Sequence, residues 1–331
     1  MMEIVTDLDN FVSEQPCAVA IGKFDGVHLG HRELLYELIR QRKNGLKAAV
    51  LTFDPSPEAF FTGSGADYKE LTTMREKRAI FGRMGIDLLI EFPMNERTAS
   101  TPPEAFVRDI LKNKLNAGFV AAGEDLSFGD RGAGNFDLLR SLAPTLSYEA
   151  KMIEKVRYQG DEISSTRIRT MLERAQMEDV TACLGHPYTI SGTVAPGRRL
   201  GRTIGVPTLN LVPETGKMLP PFGVYYSTVR VYWNGAGDPT SKSFRGVTNI
   251  GMRPTVQDLE GVRDRAVVET HLYDFDQDLY GTDIDVSLLK FVRPEQPFPD
   301  LEALRLQMEQ DVQGGRAFFG LDEEDLSEDD L

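Results

Sequence analysis

The chain has 331 residues, of which 41% are hydrophobic and 27% charged, and its net charge is −14. That length predicts two domains with a core each, and the composition is that of an ordinary globular protein. The acidic balance argues against nucleic-acid binding through general phosphate attraction, and no apolar run approaches the roughly 18 residues of a membrane span.

The first informative stretch is Ala18-Val-Ala-Ile-Gly22-Lys23-Phe24-Asp25-Gly26-Val27-His28-Leu29-Gly30-His31. Cys17–Ile21 is apolar throughout, as a buried parallel strand should be. Gly22, Gly26 and Gly30 permit a tight turn and close ligand approach. Leu34, Leu35, Leu38 and Ile39 then form the apolar face of a helix ending near Asn44-Gly45. His28 and His31 fall at its N-terminus, where N–H groups and the helix dipole favour an anion. An imidazolium there would hydrogen-bond phosphate oxygens; two histidines that merely cap a turn are the alternative. Neither G-x-x-x-x-G-K-[ST] nor G-x-G-x-x-G occurs.

Further strands are predicted at 48–53, 87–92 and 118–122, alternating with helices at 73–84, 103–115 and 136–142. This alternation predicts a parallel sheet with helices on both faces and ligands above the strands' C-terminal ends. Thr52-Phe53-Asp54-Pro55 and Gly123-Glu124-Asp125 end two such strands. Asp125 is a candidate ligand contact or part of a plain turn. Ile163-Ser164-Ser165-Thr166-Arg167-Ile168-Arg169 begins a helix running to about Ala175, where the serines suit a cap. Hydroxyls, N–H groups and the planar fork of Arg167 also suit phosphate.

After Gly185-His186-Pro187 the pattern changes to strands at 188–194, 223–233, 244–250, 266–274 and 284–292, then a helix at 301–319. This predicts a small antiparallel barrel or sandwich. The segment 192–211 holds Gly197, Arg198, Gly201, Arg202 and Gly205, a phosphate-binding loop or a basic surface turn. It ends in Pro207-Thr208-Leu209-Asn210, whose alternation puts Thr208 and Asn210 on one side. Two neutral oxygens there suit a Mg²⁺ that takes its other ligands from phosphates and water. Glu269 interrupts an apolar strand, either facing solvent or serving as a general base for an alcohol. The acidic residues from Asp322 to Asp330 predict a solvated tail. Cys17 and Cys183 lie far apart and in no C-x-x-C, so reduced thiols and a cytoplasmic chain are expected, and Met1–Asp7 lacks the basic and apolar pattern of a signal peptide.

G-x-F-D-G-x-H-x-G-H and I-S-S-T-R-I-R resemble the fingerprints of the nucleotidyltransferase superfamily, and most closely the adenylyltransferase half of bifunctional riboflavin kinase/FAD synthetase. P-T-x-N, the glycine-rich loop, Gly223-Val224-Tyr225, Gly246–Gly251, Arg253-Pro254-Thr255 and Glu269–Phe275 resemble riboflavin kinase. The resemblance implies a Rossmann-like α/β nucleotidyltransferase domain (1–185). A six-stranded Greek-key barrel with a C-terminal helix (186–320) and a tail (321–331) follow. It implies that ATP phosphates are bound by Gly22, Phe24, Asp25, Gly26, His28, Gly30, His31, Ser164, Ser165, Thr166 and Arg167 in the first domain. In the barrel it implies Gly197, Arg198, Gly201, Arg202, Gly205, Pro207, Thr208 and Asn210, with Mg²⁺ on Thr208 and Asn210. Glu269 becomes the catalytic base, and Asp125, Arg253 and Glu269 flavin contacts. Riboflavin, FMN and ATP would be the partners, with no nucleic acid or membrane. The family usually reads T-F-D-P-H-P where this chain has Ser56, and an aromatic where it has Leu126. The alternatives are therefore a riboflavin kinase with weak or absent FAD synthesis, another adenylyl- or cytidylyltransferase with an accessory barrel, or a flavin carrier with inactive sites.

Overall fold

The computed structural model describes residues 2–62, 68–196, 207–235, 240–252 and 266–321. Of the expected site residues, Gly197, Arg198, Gly201, Arg202, Gly205 and Arg253 lie outside these, as do tail residues 322–331. Two compact units are formed. The first comprises the chain up to Ile168 with Cys183–Gly185 and Gly216–Met218. The second comprises Arg169–Ala182, His186–Thr215 and the chain from Leu219.

The first unit contains β1 (Glu3–Val5), β2 (Cys17–Ile21), β3 (Lys47–Asp54), β4 (Leu88–Pro93), β5 (Ala117–Gly123) and β6 (Glu149–Ile153). They form one parallel sheet in the order β1-β4-β3-β2-β5-β6. The order reverses at β2, with β3 and β4 to one side and β5 and β6 to the other. Its C-terminal end is therefore the switch point where doubly wound sheets take ligands. Cys17, Val19 and Ile21 of β2 enter one apolar cluster, and Ala18 and Ala20 enter another with Leu34, Leu35 and Leu38. With Ala48 and Ala121 also on that side, short side chains let helix Leu29–Arg40 lie close over the sheet.

Three parts of this unit differ from the sequence expectations. β1 and β6 have largely exposed side chains, so they carry no apolar run to reveal them. The short hairpin of β7 (Arg157–Tyr158) and β8 (Asp161–Glu162) is polar for the same reason. Residues 103–115 are helical as expected, but Phe106–Lys114 forms a π-helix. Nine residues are too few for a side-chain pattern to separate the two helical periods.

The second unit contains β9 (Tyr188–Ala195), β10 (Leu209–Leu211), β11 (Gly223–Tyr232), β12 (Lys242–Met252), β13 (Ala266–Leu272) and β14 (Asp283–Pro294). They close into a barrel in the order β10-β13-β12-β11-β14-β9, with every pair antiparallel. Alternation along β13 sends Val268, Thr270 and Leu272 inwards and leaves Val267, Glu269 and His271 outside. Inside, hydroxyls form a chain: Ser227 Oγ lies 2.7 Å from Thr248 Oγ1, itself 2.8 Å from Thr270 Oγ1. Outside, helix Leu301–Phe319 covers Val224, Tyr226, Val247 and Tyr273 through Val312 and Phe319.

Thr248→Val preserves shape but removes the central member of the buried hydroxyl chain. It should lower barrel stability by about 1–3 kcal/mol, read as the urea midpoint; an unchanged midpoint would contradict the chain's role.

Candidate active sites

In the first unit, β2 runs into a turn whose backbone is strained in a specific way. Phe24 (φ 52°), Gly26 (φ 87°) and Val27 (φ 42°) all take left-handed conformations, which a β-branched residue rarely adopts. A side chain on Gly26 would also press on Leu71 and Leu184 at 3.2 and 3.3 Å. The turn delivers His28 as the N-cap of helix Leu29–Arg40, with Nδ1 accepting from the His31 backbone N–H at 3.4 Å. Its ring stacks on that of His31, centroids 3.7 Å apart and 18° from parallel. A Cβ on Gly30 would lie 3.2 Å from the His28 ring, so a side chain there would crowd this fold-back.

Two stacked, enclosed imidazoles are poor places for positive charge. Burial pushes His28 down to about 4, against the nearby charges of Asp25 and Asp125. Burial, then the adjoining His28, hold His31 well below its usual value. Burial thus favours neutral rings where the sequence suggested an imidazolium, because desolvation outweighs the local carboxylates. With Nδ1 of His28 accepting, its proton sits on Nε2, which is a neutral donor. His31 Nδ1 is buried with no hydrogen-bond partner among the described residues, a polar atom that a ligand could satisfy.

The second fingerprint meets the first. Ser165 Oγ donates to the Asp25 carbonyl at 2.9 Å, while the Asp25 carboxylate accepts from Thr72 N–H at 3.2 Å. Ser164 Oγ accepts from Arg167 N–H at 3.3 Å, capping helix Ser165–Glu173. The Arg167 guanidinium donates to the carbonyls of Tyr158 (2.9 Å) and Asp161 (3.0 Å), so the polar hairpin β7–β8 holds it. Thr166 is exposed in the first helical turn, Gly22 directly follows β2, and exposed Asp125 lies 3.9 Å from Lys155. Ser56 is buried, and its Oγ accepts from Ala59 N–H to cap the short helix Pro57–Phe61. From that helix Glu58 pairs with Lys23 of the first fingerprint, a contact no spacing rule revealed.

In the second unit the barrel register sets three polar residues abreast. Asn210 of β10 faces Glu269 of β13, which faces Asn249 of β12. Directly paired residues share a face, so all three stand on the outer face of the barrel wall, opposite to Thr270. Glu269 is exposed and Asn210 is buried. Pro207, Thr208 and Asn210 line a cavity of about 500 Å³ together with Leu272, Asp276 and Tyr280. Asn249 and Glu295 were not found from sequence. Asn249 Nδ2 donates to Glu295 Oε1 at 3.2 Å, and a side chain on Gly251 would collide with that carboxylate. Strand alternation could have placed Asn249 beside Glu269, but Glu295 lies beyond any local pattern. Among the described residues no group of three or more His, Cys, Asp or Glu side chains could hold a metal ion. Neutral oxygens beside an open cavity suit instead a Mg²⁺ that arrives with phosphates.

Comparison with known proteins follows the same division. A family model for FAD synthetase matches residues 11–167, and one for riboflavin kinase matches residues 184–319. The chain is 37% identical over 323 residues to the bifunctional riboflavin kinase/FMN adenylyltransferase of Escherichia coli (strain K12), covering 97% of this chain and 99% of the relative. It is 34% identical over 303 residues to the protein of that name from Listeria monocytogenes, covering 91% and 92%. A crystal structure described as a macrolide-efflux protein from Streptococcus pneumoniae is similar with a TM-score of 0.78 and 26% identity, covering 95% of this chain and 98% of that one. Among the described residues here, no helix is long and apolar enough to cross a membrane.

The neutral histidine pair has a pH signature. The folded pKa of His28, about 4, lies below the ordinary 6.5, so unfolding takes up a proton between these values. Stability from the neutral ring is therefore present above about pH 6.5 and lost as pH falls towards 4. Urea midpoints of the first unit should decline over this range in the native chain and less steeply in His28→Asn. Parallel declines would contradict the assignment.

Proposed function

The chain belongs to the family of bifunctional riboflavin kinase/FMN adenylyltransferases, and from that premise we propose which of its residues carry each reaction. The enzyme converts riboflavin and ATP to FMN and ADP, and FMN and ATP to FAD and pyrophosphate. We assign adenylylation to a domain at 1–185 and phosphorylation to one at 186–320. What supports the assignment is that each unit separately gathers its own motif residues: Ser165 onto Asp25 in one, and Asn210 beside Glu269 in the other.

Adenylyl transfer joins the FMN phosphate to the α-phosphorus of ATP and expels pyrophosphate. The attacking phosphate is already an anion, so no base is required, and the protein's work is alignment and charge stabilisation. Nε2–H of His28, the open N–H groups of helix Leu29–Arg40 and those of helix Ser165–Glu173 donate to the triphosphate. His31 supplies a second ring nitrogen. Arg167 adds positive charge from the hairpin carbonyls that now hold it. Gly22, Phe24, Asp25, Gly26 and Gly30 shape the turn, Ser164, Ser165 and Thr166 close the second side, and Asp125 reaches the flavin or ribose. Ser56 has taken up helix capping, so phosphate contacts at this corner fall to His28 and His31.

Riboflavin phosphorylation moves the γ-phosphoryl group of ATP to the ribityl 5′-hydroxyl. Glu269 accepts the hydroxyl proton as the oxygen attacks. Thr208 and Asn210 would hold Mg²⁺ accompanying ATP, and that ion would offset phosphate charge. Gly197, Arg198, Gly201, Arg202 and Gly205 cradle the phosphates, and Arg253 contacts flavin. The ATP demand of both steps suits a cytoplasmic enzyme.

Substitutions separate the sites. Glu269→Ala should slow FMN formation from riboflavin by about 10²-fold or more while FAD formation from supplied FMN is unchanged. His28→Ala should cut FAD formation by about 10²-fold and spare FMN formation. Flavins resolved by chromatography give both readings. Loss of both activities in either variant, or of neither, would contradict the assignment.

A further inference from the structure

His271 lies two residues beyond Glu269 on β13, so both side chains stand on the outer face of the barrel. Its Nδ1 is 2.9 Å from the carbonyl oxygen of Pro207. A carbonyl oxygen can only accept, so Nδ1 carries the proton and the ring donates. The position of that acceptor gives the bond its consequence. The β10–β13 ladder pairs Leu211 with Val268, Asn210 with Glu269 and Leu209 with Thr270, and there it stops. Thr208 is the next residue out. Pro207 has no N–H to donate into a ladder, and among the described residues the pairing does not continue past Leu209. The His271 side chain ties this end of the segment instead, immediately before Thr208.

The imidazole is itself held. The ring of Tyr273 meets it nearly edge-on, at 86° with centroids 5.8 Å apart. The Tyr273 hydroxyl donates to the Val312 carbonyl of the C-terminal helix at 2.7 Å. Burial lowers the His271 pKa, while the Pro207 carbonyl and Asp274 act the other way. A contact chain thus runs from the helix through Tyr273 and His271 to Pro207, and ends where Thr208 and Asn210 face the cavity.

We propose that His271 is a positioning residue for riboflavin phosphorylation: its Nδ1–H holds the Pro207 carbonyl and so sets where the Thr208 and Asn210 oxygens meet the metal–triphosphate. It touches no reacting atom and transfers no proton. The proposal rests on the reading of Thr208 and Asn210 as the MgATP ligands.

The test uses the full-length chain with Thr208→Ala, His271→Ala, His271→Asn and His271→Gln. An asparagine amide nitrogen occupies the place of Nδ1, whereas a glutamine amide reaches the place of Nε2. His271→Ala should raise the KM for MgATP in FMN formation about tenfold and leave the KM for riboflavin unchanged. His271→Asn should restore most of the loss and His271→Gln should not. FAD formation from FMN, measured on the same samples, should stay at the native rate and reports that the first unit is folded, while the unchanged KM for riboflavin reports that the barrel is. An unchanged KM for MgATP in His271→Ala, or equal behaviour of the Asn and Gln variants, overturns the proposal. A loss that falls equally on MgATP and riboflavin assigns His271 a general structural role and also overturns it. If Thr208→Ala keeps the native MgATP dependence, the metal reading beneath the proposal fails; if Thr208→Ala loses it while His271→Ala does not, the positioning role alone fails.

Discussion

The cap that His28 places on helix Leu29–Arg40 is the interaction on which the first unit's chemistry depends. For Nδ1 to accept from the His31 N–H, the ring must fold back over Gly30, and the turn before it must pass through left-handed backbone at Phe24, Gly26 and Val27. That strain is held by burial of Phe24, whose ring centroid lies 5.2 Å from that of His31 and 5.6 Å from that of Phe81. The helix can sit directly above the switch point because its neighbours on β2 are alanines. Once the cap is made, the proton of His28 is fixed on Nε2. A neutral imidazole that keeps its donor does not depend on pH near neutrality.

The second unit reaches the same kind of end by a different constraint. A closed barrel leaves no edge strand, so its register is fixed around the full circuit. Shifting β13 by one residue would carry Thr270 outside and Glu269 into the hydroxyl chain formed by Ser227 and Thr248. A charged carboxylate there would be desolvated, so the core itself keeps Glu269 on the outer face beside Asn210 and Asn249. The polar chain inside and the polar row outside are two sides of one register.

The strongest elements were legible because each obeys a local rule. Cys17–Ile21 is apolar on both faces, as a central parallel strand must be, and the glycine turn with His28 and His31 follows it directly. The period-two spacing of Thr208 and Asn210 put them on one side, and the pairing of Asn210 with Glu269 extends that side across the barrel. What was not legible depends on distant partners. Neutral histidines follow from enclosure, not from spacing. Arg167 rests on hairpin carbonyls, and Glu295 arrives from another strand to meet Asn249. The edge strands β1 and β6 lack a buried face, so their composition reads as loop. Ser56 stands where the family usually has histidine, and only the structure shows it capping a helix.

If two separate sets of residues carry out two reactions linked by free FMN, defects in the two sets must complement one another in trans. Mixing Glu269→Ala chains with His28→Ala chains, then supplying riboflavin, ATP and Mg²⁺, measures this. Each variant alone should form FAD from riboflavin about 10²-fold more slowly than the native chain, and the mixture should recover it, because FMN released by one chain is adenylylated by the other. A mixture that makes FMN but no FAD, although the Glu269→Ala chain converts added FMN, would contradict the account.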